Sequence, residues 1–193
     1  VEHATWTVSD PDRTRVIAST VGPYARHGSP LVAAVAGAGT DYLDLTGEPQ
    51  WIRRMIDAHA ATAEASGARI VHCCGFDSIP SDLGVWFLQQ RAVEVLGAPC
   101  PDVLTTVRHL KGGVSGGTAA SMLQLMDEAA TDPEVRRLVV DPYALNPVDL
   151  RHGPDQDATV RPTRDPSDDR WQAPFVMAAV NTKVVHRTHA LLG

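Results

Sequence analysis

IVHCCGFDSIPSDLGVWFL, residues 70–88, is the stretch whose reading decides the fold. An apolar, β-branched opening runs through two adjacent cysteines into a short polar turn, and a second apolar run follows. The pattern predicts a strand over 69–74 and a helix over 81–96, with Gly97 as the helix stop. Between them, Gly75 and Phe76 follow the strand directly, and Asp77, Ser78 and Ser81 place short polar groups ahead of a helix N-terminus. Such an end presents free N–H groups and partial positive charge, suited to an anion or a cofactor amide. The plainer alternative is that Ser78 or Ser81 caps the helix. The chain has three cysteines, Cys73, Cys74 and Cys100, an odd and small number that speaks against a disulfide framework and fits a reducing cytosol. Cys73 and Cys74, on opposite faces of a strand, lack the Cys-x-x-Cys spacing of redox or zinc sites and read as small buried hydrophobes.

The same rhythm extends upstream. Residues 15–21 form a β-branched run closed by Gly22-Pro23, which reads as a buried strand. Ser29 reads as an N-cap with Pro30 at the first helical position, and Gly37 and Gly39 end that helix. Residues 41–45 are the next strand. Over 48–66, Trp51, Ile52, Met55, Ile56, Ala60 and Ala63 recur at helical spacing up to Gly67. Strand–helix alternation of this kind means a parallel sheet with crossover helices. Downstream, APCP (98–101) reads as a linker, followed by a strand over 102–110, a glycine-rich turn and a helix over 118–130. A short helix behind Asp132-Pro133 comes next. Residues 142–174 hold six prolines and many charges and read as a long surface loop. Residues 173–180 are apolar, and Asn181-Thr182 is placed to cap a last helix carrying Val184, Val185, Thr188 and Leu191. A domain boundary is expected near residue 98. The start at Val1 and the stop at ALLG (190–193), inside a helical pattern, read as a fragment.

With 44% hydrophobic residues in 193, the chain has material for one sizeable core or two small ones. Net charge is −6 and no Lys/Arg cluster stands out, which argues against a nucleic-acid partner. No stretch approaches the roughly 18 apolar residues of a membrane span, and the N-terminus does not resemble a signal peptide.

Two further turns could carry chemistry. STVGPY (19–24) follows a strand, where open α/β sheets bind their ligands, and its Gly-Pro turn lets a flat ring or ribose approach the backbone; a plain strand-to-loop turn is the alternative. KGGVSGGT (111–118) matches neither a Walker loop nor G-x-G-x-x-G, yet four glycines with Ser115 and Thr118 can cradle a phosphate, carboxylate or thioester oxygen. Gly37-Ala-Gly39 is a decoy, since Tyr42 occupies the third glycine position of a dinucleotide fingerprint. His186 and His189 read as a surface pair, not as a metal site. No Gly-x-Ser-x-Gly or His-Glu-x-x-His motif supports a hydrolase.

Together TVGPY (20–24), GTDYLDLTGE (39–48), HCCGFDSIPSDLG (72–84), GGVSGGT (112–118) and APFVMAAVNTK (173–183) resemble the saccharopine dehydrogenase-like oxidoreductases, and more narrowly the branch of trans-acting enoyl reductases of polyketide-lipid biosynthesis. The resemblance implies an α/β protein. Residues 1–97 would be the C-terminal part of a Rossmann-type NAD(P)-binding parallel sheet with helices, and 98–193 part of a second α/β (α+β) domain for substrate. It implies NADP or NAD as cofactor, bound by Thr20, Val21, Gly22, Pro23, Gly75 and Phe76. Gly113, Ser115, Gly116, Gly117 and Thr118 would face an acyl-type small-molecule substrate. Asp77, Ser78 or Tyr24 would deliver the proton that accompanies hydride transfer, and N–H groups near 115–118 would steady an enolate. The resemblance allows a homodimer and an acyl-carrier or synthase partner, in the cytoplasm or peripheral to a membrane. The family's glycine-rich pyrophosphate turn is not in this sequence, so the chain alone is expected to bind the dinucleotide poorly. A non-catalytic scaffold that binds a partner or lipid is the competing reading.

Overall fold

The computed structural model describes residues 14–113, 116–156, 161–165 and 169–193. Three parallel strands, β1 (Val16–Ser19), β2 (Asp41–Asp44) and β3 (Ile70–Val71), lie side by side in that order. Helices α1 (Tyr24–His27) and α2 (Ser29–Ala38) connect β1 to β2, α3 (Pro49–Ser66) connects β2 to β3, and α4 (Ile79–Leu96) follows β3. The chain continues through α5 (Gly116–Thr131), α6 (Pro133–Val140), a hairpin of β4 (Thr163–Arg164) and β5 (Trp171–Gln172), and α7 (Ala178–Leu192). This is the mixed α/β, partly Rossmann-like architecture that the alternation predicts.

Register assigns the two faces of the sheet. Ile17, Tyr42 and Ile70 are cross-strand neighbours, and so are Ala18, Leu43 and Val71. Alternation puts Asp44 on the face of Tyr42, and that face packs against α2 and α3. The core there gathers Tyr24, Val32, Val35, Tyr42, Trp51, Ile52 and Met55. The opposite face leaves Val16 and Val71 about half exposed among the described residues, whereas a parallel sheet ordinarily has both faces covered. Trp51 fixes the α1–α2 corner: its indole N–H donates to the Ser29 hydroxyl, and a Cβ on Gly28 would lie 2.6 Å from its ring.

Several sequence expectations are corrected. Gly28, not Ser29, caps α2, because Ser29 turns its hydroxyl to Trp51. Gly37 lies inside α2, which ends at Gly39 with φ 72°. The strand expected over 69–74 stops at Val71, since Cys73 adopts φ 62° and leaves the ladder, so the two cysteines are not strand filler. Residues 102–110 form no strand and join neither sheet among the described residues. Helix α5 begins at Gly116 and α4 at Ile79, each two residues before expectation. Asp132 caps α6 as its sequence predicts, accepting from the N–H groups of Glu134 and Val135. Asn181 caps nothing: α7 starts at Ala178, and Asn181 is buried inside it. His186 is half-buried with its ring 4.5 Å from that of Tyr143, so it is not a surface residue.

The proline-rich stretch also departs from a surface loop. Tyr143, Ala144, Leu145 and Asn146 are buried, and Leu145 joins the core cluster. The Arg53 guanidinium holds this segment by donating to the Asn146 carbonyl. Leu145→Ala should therefore cost about 2–5 kcal/mol in a urea titration, whereas Leu150→Ala, at a side chain 43% exposed, should stay within about 0.5 kcal/mol.

Lys183 on α7 is 2% exposed and gives its protons to the Val139 and Ala179 carbonyls. Burial brings its pKa down to about 8. Below that value the ammonium is charged in the folded and unfolded chain alike, and the folded state carries the full cost of burying it. As pH rises from about 8 to 10.5 the folded chain releases this proton first, so stability should climb, by roughly 2–3 kcal/mol at most. Parallel urea titrations of Lys183→Met should lack that rise.

Candidate functional site

Two of the turns singled out in the sequence, 19–24 and 75–78, lie where β1 and β3 end, and the exit of the central strand, residues 44–48, organises them. Asp44 and Glu48 are each 1% exposed. Buried carboxylates at such positions need donors, and here the donors come from the neighbouring turns. Asp44 Oδ1 accepts from the Thr46 N–H at 3.1 Å and the Cys73 N–H at 3.0 Å, and Oδ2 accepts from His72 Nδ1 at 2.6 Å. The Asp44 carbonyl takes the Cys74 N–H at 2.7 Å. This carboxylate substitutes for a strand ladder and lets Cys73 turn out of β3. His72 is wedged between Tyr42 and Trp51, with ring centroids 6.1 and 5.1 Å away.

Glu48 does the same on the other flank. Its Oε1 accepts from the Tyr24 N–H at 2.8 Å and its Oε2 from the Ala25 N–H at 2.9 Å. These are the open amides at the start of α1, where a negative charge is favoured. Glu48 Oε1 also accepts from the Ser121 hydroxyl of α5 at 2.7 Å. Helix α5 buries none of its side chains. This contact, Arg26 on Gln124 and Arg54 on Glu128 dock it with polar groups only.

The third turn is held from α7. Asn181 Oδ1 accepts from the Ser78 hydroxyl at 2.9 Å, and its Nδ2 donates to the Asp77 carbonyl at 2.8 Å and Ser81 Oγ at 3.1 Å. Ser78 occupies the N-cap position of α4, but its side chain makes no capping bond because it is committed to Asn181. One rung along, the Thr188 hydroxyl donates to Asp82 at 3.0 Å.

These contacts place the sequence-predicted residues. Tyr24 is buried; its hydroxyl donates to the Ser19 carbonyl and accepts the Leu45 N–H, tying the ends of β1 and β2, and burial raises its pKa. Gly22 and Pro23 lie beside Ser121, and a Cβ on Gly22 would stand 3.5 Å from its oxygen. Thr20 and Val21 are exposed ahead of them. Gly75 lies against Leu45, 3.1 Å from where its Cβ would be, while Phe76 and Asp77 are exposed and Ser78 is 3% exposed. Gly116, Gly117 and Thr118 open α5, with Gly113 exposed before them; Ser115 lies outside the described residues. Thus the 19–24 and 75–78 turns meet through β2, and the glycine-rich segment joins them through Ser121. Asp44, Glu48, His72 and Asn181 received no role from the sequence. All four sit inside stretches that carry the family resemblance, which was the signal available. Asn181 looked like a cap.

A partial Rossmann-like α/β unit with its polar turns gathered at the carboxyl ends of parallel strands is the class that fold and site define. Among known proteins, the chain is 48% identical over 186 residues to a protein of Mycobacterium tuberculosis (strain H37Rv) provisionally named a trans-acting enoyl reductase. It is 46% identical over 186 residues to a trans-acting enoyl reductase of Mycobacterium bovis (strain BCG) and 44% identical to one of Mycobacterium ulcerans. Each match takes in 93% of this chain but 44% of the relative, so the chain spans less than half the length of these proteins. No family model and no solved structure matches the chain.

Asn181→Ala should leave the Ser78 hydroxyl and the Asp77 carbonyl without their partners. A loss of about 1–3 kcal/mol in denaturant unfolding is expected, with faster amide hydrogen exchange over residues 76–82. Asn181→Asp should keep the Ser78 bond but not recover the loss, because it sets a buried carboxylate oxygen against the Asp77 carbonyl.

Proposed function

We propose that this chain is part of an NAD(P)-dependent reductase of the saccharopine dehydrogenase-like type, acting on an enoyl group of an acyl-type substrate. The observation that carries the reading is a row of exposed apolar side chains at the three strand ends. Val21 after β1 is 58% exposed, Leu45 after β2 50% and Phe76 after β3 84%. Water is a poor cover for such a row, and a flat, partly apolar ring such as nicotinamide is a good one. The residues present therefore fit the ring end of a dinucleotide. The similarity to proteins named trans-acting enoyl reductases supports the enoyl substrate and a partner synthase.

The bound nicotinamide would supply the hydride. This chain's residues supply position, dryness and the proton. Thr20 to Pro23 and Gly75-Phe76 bound the ring, with Glu48 and Asn181 fixing the two turns. Gly116, Gly117 and Thr118 open α5, and the positive end of a helix of 16 residues favours an enolate oxygen. Of the three proton donors expected, the Ser78 and Tyr24 hydroxyls are engaged inside the fold, whereas Asp77 is exposed on the turn. Asp77 takes the acid role in this reading, and Tyr24 and Ser78 act as positioning residues. The reaction is placed in the cytoplasm or at a membrane surface; among the described residues no helix is long and apolar enough to cross a membrane.

The test is oxidation of NADPH and NADH in the presence of an enoyl thioester, by a version extended with a pyrophosphate-binding unit. Asp77→Asn should lower turnover by roughly 10²-fold or more, the ordinary yield of a positioned acid, and Gly116→Val should also depress it. Intact turnover in both variants would sink the assignment. If neither nucleotide binds the folded, extended version, the non-catalytic scaffold is the better reading.

A further inference from the structure

A cleft of about 440 Å³ runs between α3 and α7 beside β3, and its lining takes in Ile70, Val71, His72 and Cys73 of that strand and its exit. That volume falls in the range of small-molecule sites. Ile52, Met55, Ile56 and Ala60 of α3 form one wall, and Val184 and Leu191 of α7 face them at the spacing of one helix stripe. Arg187 lies on the same α7 stripe and lines the same cleft. It is half-buried, it donates to the Leu145 carbonyl, and no carboxylate among the described residues pairs with it. Its neighbour Arg53 has its own partner in Asp57. Burial and the Arg53 charge both weigh against the Arg187 guanidinium, so an anion brought to it would relieve a standing cost. Asp82 and Glu64 also line the cleft, and Glu64 is exposed. Asp82 Oδ2 accepts from Thr188, one position and roughly 100° around α7 from Arg187, while its buried Oδ1 has no hydrogen-bond partner among the described residues.

We propose that this cleft binds an aliphatic carboxylate, with the hydrocarbon chain along the apolar walls of α3 and α7 and the head group on the Arg187 guanidinium. Apolar walls select the chain, and an uncompensated cation at one end selects the head. From Ile52 to Ala63 the α3 wall is roughly 16 Å long by helical rise, which suits a medium-length chain. The site stands independently of the reductase reading, because Val21, Leu45 and Phe76 do not line it and it needs no nucleotide.

Dodecanoate, titrated below its micelle concentration into the chain as it stands, is the probe. Calorimetry gives the stoichiometry, and methyl NMR of Met55, Ile52 and Ile56 gives the place. One molecule per chain is expected, with shifts confined to methyls that line the cleft, Val184 and Leu191 included. Ala60→Trp, at an exposed helical position, should abolish binding while circular dichroism stays unchanged. Arg187→Gln should weaken it by about tenfold to a hundredfold, the range of a lost charge-assisted bond, and Arg187→Lys should restore most of the affinity. Dodecyltrimethylammonium, equal in chain and opposite in charge, should bind far more weakly. Equal binding of both amphiphiles, binding indifferent to Ala60→Trp, or no binding to the folded chain would each overturn the proposal.

Discussion

Two buried carboxylates at the exit of β2 bear the arrangement on which the rest of the structure depends. A parallel sheet leaves backbone groups unpaired where its strands stop, and a short sheet has little else to hold the chain that leaves it. Asp44 meets this need on the β3 side through the Cys73 N–H and His72, and Glu48 meets it on the β1 side through the Tyr24 and Ala25 N–H groups. Both side chains come from one segment of five residues, 44–48, so the spacing of the two flanking turns is fixed by a single piece of backbone. Buried carboxylates are tolerable here only because every oxygen has a donor.

The same economy explains how distant parts of the chain reach the site. Helix α5 brings Ser121 to Glu48 without burying a side chain of its own. Helix α7 brings Asn181 to Ser78 and Thr188 to Asp82, seven residues apart on one face, and so fixes the entry of α4 at two rungs. Contacts of these kinds are worth little in stability when exposed but hold geometry closely where they are buried, as at Asn181 and Glu48. That division suits strand-end turns whose use is to present backbone and short side chains at defined places.

Much of the fold was legible beforehand for local reasons. Glycines at 39, 67 and 97 end helices with positive φ, and α3 follows its apolar spacing closely. Errors arose where a distant partner overrides local preference. Residues 72–74 continue directly from the β-branched Ile70 and Val71 and so read as strand, yet the Asp44 carboxylate holds Cys73 in a left-handed conformation. Residues 143–146 sit among prolines and charges, yet Arg53 and the core cavity beside Trp51 draw Leu145 inward. Of the candidate site, the turns after β1 and β3 were visible from their glycines and short polar residues. Their supports were not, since Glu48 lies 24 residues from Tyr24 and Asn181 lies 103 from Ser78.

The sequence by itself determined the order of strands and helices from β1 to α4, the parallel sheet that follows from it, and the glycine and short polar turns at the strand ends. Periodicity, β-branching and glycine placement act over a few residues, and these features need nothing more. Tertiary structure alone decided which polar residues are buried together, that Tyr24 and Ser78 spend their hydroxyls inside the fold while Asp77 stays exposed, and that Arg187 meets no carboxylate among the described residues. Each of these depends on which side chains meet across the sheet and between the helices, and on how much water remains when they do. Neither is encoded in any short stretch of the chain.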